Sequence, residues 1–213
     1  MTPSSITKVF QLLSKSFPDP KTELKFDNHF QLLIAVMLSA QATDISVNRV
    51  TGALFEAAPD PSAMVILGEN RIKSFIKSIG LANTKAKNIY KTCRKLIEEH
   101  NSAIPRTRKE LESLPGVGHK TAGVVLNVAF GEATIPVDTH VFRVSNRLGL
   151  VSTKNPTETE KQLLELVPQK YLPSAHHLLI LHGRYVCKAR KPLCAECCVN
   201  KQCEHPEKTP PSG

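Results

Sequence analysis

Leu114-Pro-Gly-Val-Gly-His-Lys-Thr121 is the stretch that shows most about the fold of this chain. Its two glycines permit positive φ angles and leave backbone N–H groups uncovered, so an anion can approach the turn closely. The helix that begins after the turn has a positive N-terminal end, which favours anions and disfavours an ammonium group. Lys120 lies in the first turn of this helix, against that preference. We interpret it as a candidate amine nucleophile.

The residues on either side of the turn predict a helix–hairpin–helix. One helix over 108–114 ends at Leu114-Pro115, and a second helix runs over 119–130. Gly116, Val117 and Gly118 form the turn between them. We expect Val117 to be its one exposed apolar residue and the turn N–H groups to bind one DNA phosphate. A plain connection between two helices is the alternative.

A carboxylate follows at a distance that allows it to reach the amine. Asp138 lies eighteen residues after Lys120, in Val137-Asp-Thr-His140. The helix leads away for about 18 Å, and the seven steps from Gly131 to Asp138 can span up to about 23 Å. Near the amine, Asp138 would accept a proton or stabilise positive charge on a sugar. It could equally cap the next helix, and Lys120 could be a surface lysine or a phosphate contact.

Apolar residues recur at spacings of three and four, as in 30, 33, 34, 37 and 38, which is typical of helices. No sustained alternation of period two occurs, so the sequence predicts an all-α fold. We expect ten helices, at about 4–17, 28–41, 44–57, 70–78, 84–100, 108–114, 119–130, 139–148, 156–167 and 173–186.

Capping residues mark several helix ends. Asn155-Pro156 followed by Glu158 predicts an N-cap, a proline at the first helical position and an acid in the first turn. Pro59-Asp-Pro61 is expected to break the helical pattern. The other predicted helix starts are Asp27, Thr43 and either Asn83 or Thr84.

The charge of the chain favours a polyanionic partner. The formal net charge is +9, although a merely basic soluble protein has the same property. With no Trp and three Tyr, the chain lacks the stacking platforms of a single-strand binder, so duplex DNA held by its backbone fits better. No apolar run is long enough to span a membrane. We expect a cytosolic protein.

Four cysteines fall within seventeen residues, separated by six, two and five others. A disulfide framework is not expected in a cytosolic protein, so these thiols predict a metal site. Four thiolates suit tetrahedral zinc or an iron–sulfur cluster; the irregular spacing favours the cluster and leaves zinc open. The candidate ligands are Cys187, Cys194, Cys197 and Cys203. Cys93 is expected to be a core thiol and Cys198 a bystander.

Together these features resemble the helix–hairpin–helix DNA glycosylases, most closely their bacterial endonuclease III branch. The resemblance implies two helical domains with a DNA-binding cleft between them. A helical barrel with the helix–hairpin–helix would cover 22–132, and an iron–sulfur cluster domain would combine 1–21 with 133–213. Besides the cysteine spacing, the motifs that carry the resemblance are Leu38-Ser-Ala-Gln-Ala-Thr-Asp44, Leu114-Pro-Gly-Val-Gly-His-Lys-Thr121, Val137-Asp-Thr-His140 and His182-Gly-Arg-Tyr185.

The resemblance also implies roles for individual residues. Lys120 would be the nucleophile and Asp138 the essential acid, and the four cysteines would hold a [4Fe-4S] cluster. Gln41 would fill the gap left by an extruded nucleotide, and Leu81 would wedge into the opposite strand. The sequence alone favours simpler interpretations, a solvated helix end for Gln41 and a core residue for Leu81.

A few positions depart from the family pattern or invite another interpretation. His119 stands where Arg is frequent, Gly123 where Asn is usual, and Ala82 where a Tyr can stand. These changes would affect phosphate contacts or lesion preference.

Three histidines form a second possible metal site, but they lie on an apolar helix where packing or DNA contact is favoured: His176, His177 and His182.

The implied function is base excision repair. A bifunctional glycosylase would flip an oxidised pyrimidine from duplex DNA and, through a lysine Schiff base, cut 3′ to the abasic site by β-elimination. Its partner would be duplex DNA with damaged bases or abasic sites, bound by a monomeric cytoplasmic protein at the bacterial nucleoid. One alternative is a monofunctional purine-excising glycosylase, whose branch has a catalytic Glu where this chain has Ala35. The other is a non-catalytic helix–hairpin–helix DNA-binding module.

Overall fold

The computed structural model describes residues 1–210, and every regular element in that range is helical. The all-α prediction is confirmed. No helix of the described range is long and apolar enough to cross a membrane. The α-helices are α1 (Pro3–Ser16), α2 (His29–Ser39), α3 (Asp44–Ala57), α4 (Pro61–Leu67), α5 (Glu69–Phe75), α6 (Ala82–His100), α7 (Arg108–Glu112), α8 (His119–Phe130), α9 (Thr139–Leu148), α10 (Pro156–Leu166) and α11 (Leu172–Tyr185). Short 3₁₀ segments follow at Gln169–Tyr171, Cys194–Glu196 and Asn200–Gln202.

The chain divides into two compact units, each with its own apolar core. Glu23–Gly131 form the central unit. Met1–Thr22 and Glu132–Gly213 form the terminal unit. The assignment of 22–132 as a helical barrel domain and of 1–21 with 133–213 as a cluster domain stays a prediction.

The core of the central unit is built around α2. Its residues from Phe30 to Leu38 are all buried, because the helix contacts α3, α6 and α8. Asn28 caps α2, with its side-chain oxygen accepting the Gln31 N–H at 2.9 Å. The prediction that Asp27 starts this helix is wrong: its backbone N–H instead donates to Gln31 Oε1 at 2.8 Å.

A helix that the sequence did not predict follows the proline pair at 59–61. Asp60 accepts the Ala63 N–H at 2.8 Å and Pro61 occupies the first turn, so the supposed break starts α4. Gly68, at φ +79°, ends α4 and precedes α5. Because Gly68 ends one helix and caps the start of the next, α5 covers Glu69–Phe75 rather than the predicted 70–78.

The core of the terminal unit joins the N-terminal helix to the second half of the chain. α1 buries Ile6, Val9, Phe10 and Leu13 and contacts α11. The Phe10 ring stacks on Tyr171, with 5.8 Å between ring centroids. The helix predicted at about 4–17 is therefore present, and its apolar face packs in this core.

α9 and α11 pack closely because of one glycine. A Cβ at Gly183 would lie 3.0 Å from both His140 Cβ and Val144 Cγ2, so a side chain there would require these neighbours to shift. This contact explains the glycine of the His182-Gly-Arg-Tyr185 motif.

Candidate active site and cysteine centre

The hairpin turn of the central unit uses its two glycines differently. Gly116 has φ +80°, and an added Cβ would lie 2.7 Å from Asn88 Nδ2, so both backbone and space require glycine. Gly118 is extended, with φ −95° and ψ 179°. A Cβ there would meet nothing within 4 Å. The shape of the turn therefore depends on Gly116, whereas Gly118 leaves its outer surface bare.

Val117 is buried, and the prediction that it is exposed is wrong. Its side chain is 5% exposed and belongs to the core of the central unit. Its N–H donates to Leu114 O at 3.0 Å. Burying the valine anchors the turn, and the exposed residues are the flanking glycines. The N–H groups at the start of α8, where Gly118 supplies no side-chain cap, are therefore the donors of this turn that suit an anion, and anion binding here stays a prediction.

Lys120 is the second residue of α8 and its side chain is exposed. Beside it, the His119 ring contacts Glu112, with Nδ1 2.9 Å from Oε1. Arg108 Nη1 donates to the His119 carbonyl at 3.1 Å. His119 thus joins α7 to α8 beside the exposed amine.

Asp138 caps α9 in the terminal unit, as the capping interpretation predicted. Its Oδ1 accepts the N–H groups of His140 and Val141, both at 2.8 Å. Its Oδ2 lies 3.1 Å from His140 Nδ1, a contact that the sequence analysis missed. The Asp-x-His spacing was the available signal. Three contacts orient this carboxylate firmly, and its catalytic role stays a prediction.

Gln41 and Leu81 are two exposed residues of the central unit with left-handed backbones, at φ 56° and 62°. Leu81 is 61% exposed, so the interpretation of this residue as core is wrong. It immediately precedes Ala82, the first residue of α6, so the predicted start at Asn83 or Thr84 is also wrong. A non-glycine residue in this region costs about 1–3 kcal/mol, and such strain clusters at functional sites.

Four cysteines of the terminal unit line one small pocket. Burial raises the pKa of Cys197 to about 12 and also raises that of Cys203. The neighbouring sulfurs add to this rise, because adjacent thiolates repel. Such thiols become stable thiolates only with a positive centre between them. The pocket cysteines are Cys187, Cys194, Cys197 and Cys203.

The arrangement of these thiols bears on which metal group they suit. Within residues 1–210, no set of three or more His, Cys, Asp or Glu side chains is grouped to hold a single ion. An iron–sulfur cubane takes one thiolate at each iron, so its ligands stand farther apart than those of one zinc ion. Four cysteine side chains around one pocket therefore suit a cluster that takes one thiolate at each iron.

The remaining candidate groups are structural. Cys93 is fully buried in the central unit, which raises its pKa to about 12. Cys198 is exposed and does not line the pocket. Burial lowers the pKa of His177 and of His182 to about 4, so both rings are neutral. These histidines pack within α11, and His182 Nε2 lies 3.7 Å from Cys197 Sγ.

Known proteins are similar to this chain in sequence and in fold. The family model described as "HhH-GPD superfamily base excision DNA repair protein" matches residues 34–169. Endonuclease III of Rickettsia felis is 54% identical over 200 residues, 94% of each chain. Endonuclease III of Escherichia coli K12 is 53% identical over 201 residues, 94% of this chain and 95% of that one.

Solved structures agree with these relatives. A trapped endonuclease III–DNA covalent intermediate matches with a TM-score of 0.91 and 45% identity over 96% of each chain. A thermostable thymine-DNA glycosylase, 24% identical with a TM-score of 0.86, shares the fold. The chain belongs to the HhH-GPD superfamily of base excision DNA repair proteins. It is a base excision repair enzyme that acts on DNA, with DNA glycosylase and AP lyase activity.

Proposed function

We propose that this enzyme excises oxidised pyrimidines from duplex DNA and cuts the strand 3′ to the resulting abasic site. The observation that carries the proposal is Lys120, an exposed amine at the uncapped N-terminus of α8, directly after the hairpin turn. The relative solved as a covalent intermediate with DNA supports a nucleophile of this kind. The enzyme would act as a monomer in the cytoplasm, at the nucleoid.

The proposed reaction begins with the neutral form of Lys120, which is favoured when DNA covers the amine and excludes water. The amine attacks the anomeric carbon C1′, and the bond to the base breaks with its electron pair leaving on the base. Asp138 accepts a proton or stabilises positive charge on the sugar. The C1′–O4′ bond of the sugar ring then breaks, O4′ takes up a proton, and the C1′=N⁺ iminium that results makes the C2′ proton acidic. Loss of that proton breaks the C3′–O bond, and the phosphate leaves.

Gln41 and Leu81 would hold the helix open while the damaged nucleotide is outside it. Leu81 is 61% exposed and has a strained backbone, and contact with water does not stabilise its apolar side chain. In an opened duplex, the same side chain can pack where base stacking has been lost. The Gln41 amide has donors and acceptors for the base left unpaired. Flipping costs least where pairing is already weak, which favours damaged positions.

Gly118→Ala should weaken DNA binding without unfolding the hairpin. The added Cβ meets no protein atom within 4 Å, but it stands where a phosphate would approach the α8 N–H groups. We expect a stability loss below about 1 kcal/mol. Affinity for duplex DNA should fall about tenfold, because a hydrogen bond to a charged group contributes about 1.5–3 kcal/mol. Calorimetry and fluorescence anisotropy measure the two quantities.

Two other glycine variants complete this comparison. Gly116→Ala should destabilise the fold by about 1–3 kcal/mol because of its positive φ and the approach to Asn88. Gly52→Ala, at an exposed position of α3 with nothing within 4 Å of the new Cβ, should keep full affinity. Equal affinity of Gly118→Ala and Gly52→Ala would exclude Gly118 from the phosphate site.

We also propose that the pocket cysteines hold a [4Fe-4S] cluster, one thiolate to each iron. When bound, the cluster would neutralise the thiolates and tie the segment after α11 to the rest of the unit. The loop is already held by α9: Arg143 Nε donates to Cys187 O at 3.1 Å, and Arg147 Nη1 donates to Lys188 O at 2.7 Å.

Cys197→Ser should lose this cluster, whereas Cys198→Ser should keep it. The two residues are adjacent, but only Cys197 lines the pocket. Iron and acid-labile sulfide should be present in equal amounts in the wild type and in Cys198→Ser, and both should be lost from Cys197→Ser. The visible absorption of the cluster should likewise be present in the wild type and in Cys198→Ser and absent from Cys197→Ser. Zinc in place of iron, or equal cluster content in both variants, would contradict the proposal.

The activity itself is tested with duplexes that each carry one modified base. The wild type should release oxidised pyrimidines, cut an abasic duplex, and yield a covalent adduct after borohydride reduction. Release of a purine without any adduct would identify a monofunctional glycosylase instead. Tight binding with no cleavage at abasic sites would leave only a DNA-binding module.

A further inference from the structure

Lys85 is a buried lysine of the central unit to which the reaction above assigns no role. It lies near the start of α6 and is 8% exposed. Its Nζ donates to two backbone carbonyls, Leu38 O at 2.9 Å and Ala40 O at 2.7 Å. Burial lowers its pKa. An ammonium group with two of its three donors engaged in this way is a structural clamp rather than a free amine.

Both carbonyls lie at the C-terminal end of α2, immediately before Gln41. The last turn of α2 has no basic residue, so the Lys85 ammonium supplies the positive charge that a helix C-terminus favours. The Ala40 carbonyl also belongs to the peptide unit that joins Ala40 to Gln41. The bond from Lys85 therefore orients the Gln41 backbone directly, at its left-handed φ of 56°.

The main chain of the same lysine holds the second exposed residue. The Lys85 N–H donates to Leu81 O at 2.9 Å, at the N-terminal end of α6. Leu81 has φ 62°, and no side-chain cap is present to hold it. One residue thus fixes Leu81 through its backbone and the Gln41 peptide through its side chain.

We propose that Lys85 is a positioning residue that joins Gln41 and Leu81 into one rigid DNA-probing unit. The inference rests on the proposed roles of Gln41 and Leu81 in opened DNA. Rigid placement matters here, because both side chains must enter the duplex together when a nucleotide leaves it. Without the two side-chain bonds, the Gln41 segment would lose its link to α6 and relax from its strained backbone, whereas the backbone bond to Leu81 would remain. The Gln41 segment would then have to be ordered at every binding event.

The test compares Lys85→Met, which loses the donors, with Lys85→Arg, which keeps the charge. Lys87→Met is the matched control, because Lys87 is exposed on the same helix and its loss changes the charge equally. Affinity is measured for a duplex with a tetrahydrofuran abasic analogue and for the undamaged duplex. For each variant, the affinity for the damaged duplex is divided by the affinity for the undamaged one. This ratio should be about tenfold lower for Lys85→Met than for Lys87→Met. Lys85→Arg should recover part of it.

This ratio separates positioning from folding, because partial unfolding lowers both affinities equally and leaves their ratio unchanged. A 2-aminopurine opposite the lesion adds a spectroscopic measure of local unstacking. Its fluorescence gain on binding should be smaller with Lys85→Met than with Lys87→Met. Equal ratios and equal fluorescence for these two variants would overturn the role of Lys85.

A double-mutant cycle tests the joint action of the two probing residues. In the otherwise unchanged chain, the effects of Gln41→Ala and Leu81→Ala on the affinity ratio should be non-additive by about fivefold. In a chain that also carries Lys85→Met, the two effects should be additive. Additive effects in the unchanged chain would overturn the inference, and that cycle decides it even if Lys85→Met does not fold. Single variants that leave the affinity ratio unchanged would instead refute the proposed function of Gln41 and Leu81.

Discussion

Lys120→Ala should abolish the covalent adduct that borohydride traps on an abasic site, and should lower strand cleavage about 10³-fold or more. The effect should be this large because no Schiff base forms without the amine, and β-elimination depends on the iminium. Residual cleavage would come from other amines that reach the sugar without being held there. Single-turnover rates on an abasic duplex, with gel analysis of the reduced complex, measure both effects.

The same substitution should leave the fold intact. Lys120 is exposed in the first turn of α8, where alanine is an excellent helix former. Removing an ammonium group from the positive end of a helix should even raise the free energy of unfolding, by about 0.3–1 kcal/mol. Thermal unfolding therefore separates loss of chemistry from loss of structure.

Lys109→Ala is the control for this variant. Lys109 is an exposed lysine of α7, so its loss removes one positive charge close to the hairpin in sequence. Its adduct yield should match the wild type at low salt. An adduct from Lys120→Ala at the wild-type rate would place the nucleophile on another amine and end the proposed mechanism.

The helix starts show why some local structure is readable from sequence. Asn155 caps α10 by accepting the Glu158 N–H, and Thr43 caps α3 in the same way, both as predicted. These starts need only a side chain and a backbone three residues apart. Asp60-Pro61 carries the same signature, but a second proline at 59 suggested a break instead. Proline two residues before a helix does not oppose it.

The predictions of side-chain exposure at Val117 and Leu81 were wrong for a different reason. Side-chain exposure depends on contacts from distant segments, and no local pattern shows that Val117 packs into the central core or that Leu81 does not. The left-handed backbones of Gln41 and Leu81 are likewise held by a lysine whose bonds reach back 45 and 47 residues. The resemblance to a known family was therefore the sole pointer to these two residues.

Asp138→Asn should separate the two roles of this residue, helix cap and catalytic acid. Asparagine caps helices about as well as aspartate, and its Oδ1 can accept the same N–H groups of His140 and Val141. The stability loss should stay below about 1 kcal/mol, chiefly from the missing charge at the helix end. Excision of an oxidised pyrimidine should nevertheless fall about 10²–10⁴-fold, because an amide accepts no proton at neutral pH.

Asp138→Ala supplies the complementary result. It removes cap and carboxylate together, so it should be destabilised by about 0.5–2 kcal/mol and be as inactive as Asp138→Asn. Thermal unfolding and single-turnover excision rates, measured on all three proteins, give the comparison. If activity followed stability, with Asp138→Asn nearly as active as the wild type, Asp138 would be a helix cap alone. An Asp138→Asn variant that is stable and folded but inactive would mean that the reaction requires the negative charge of Asp138.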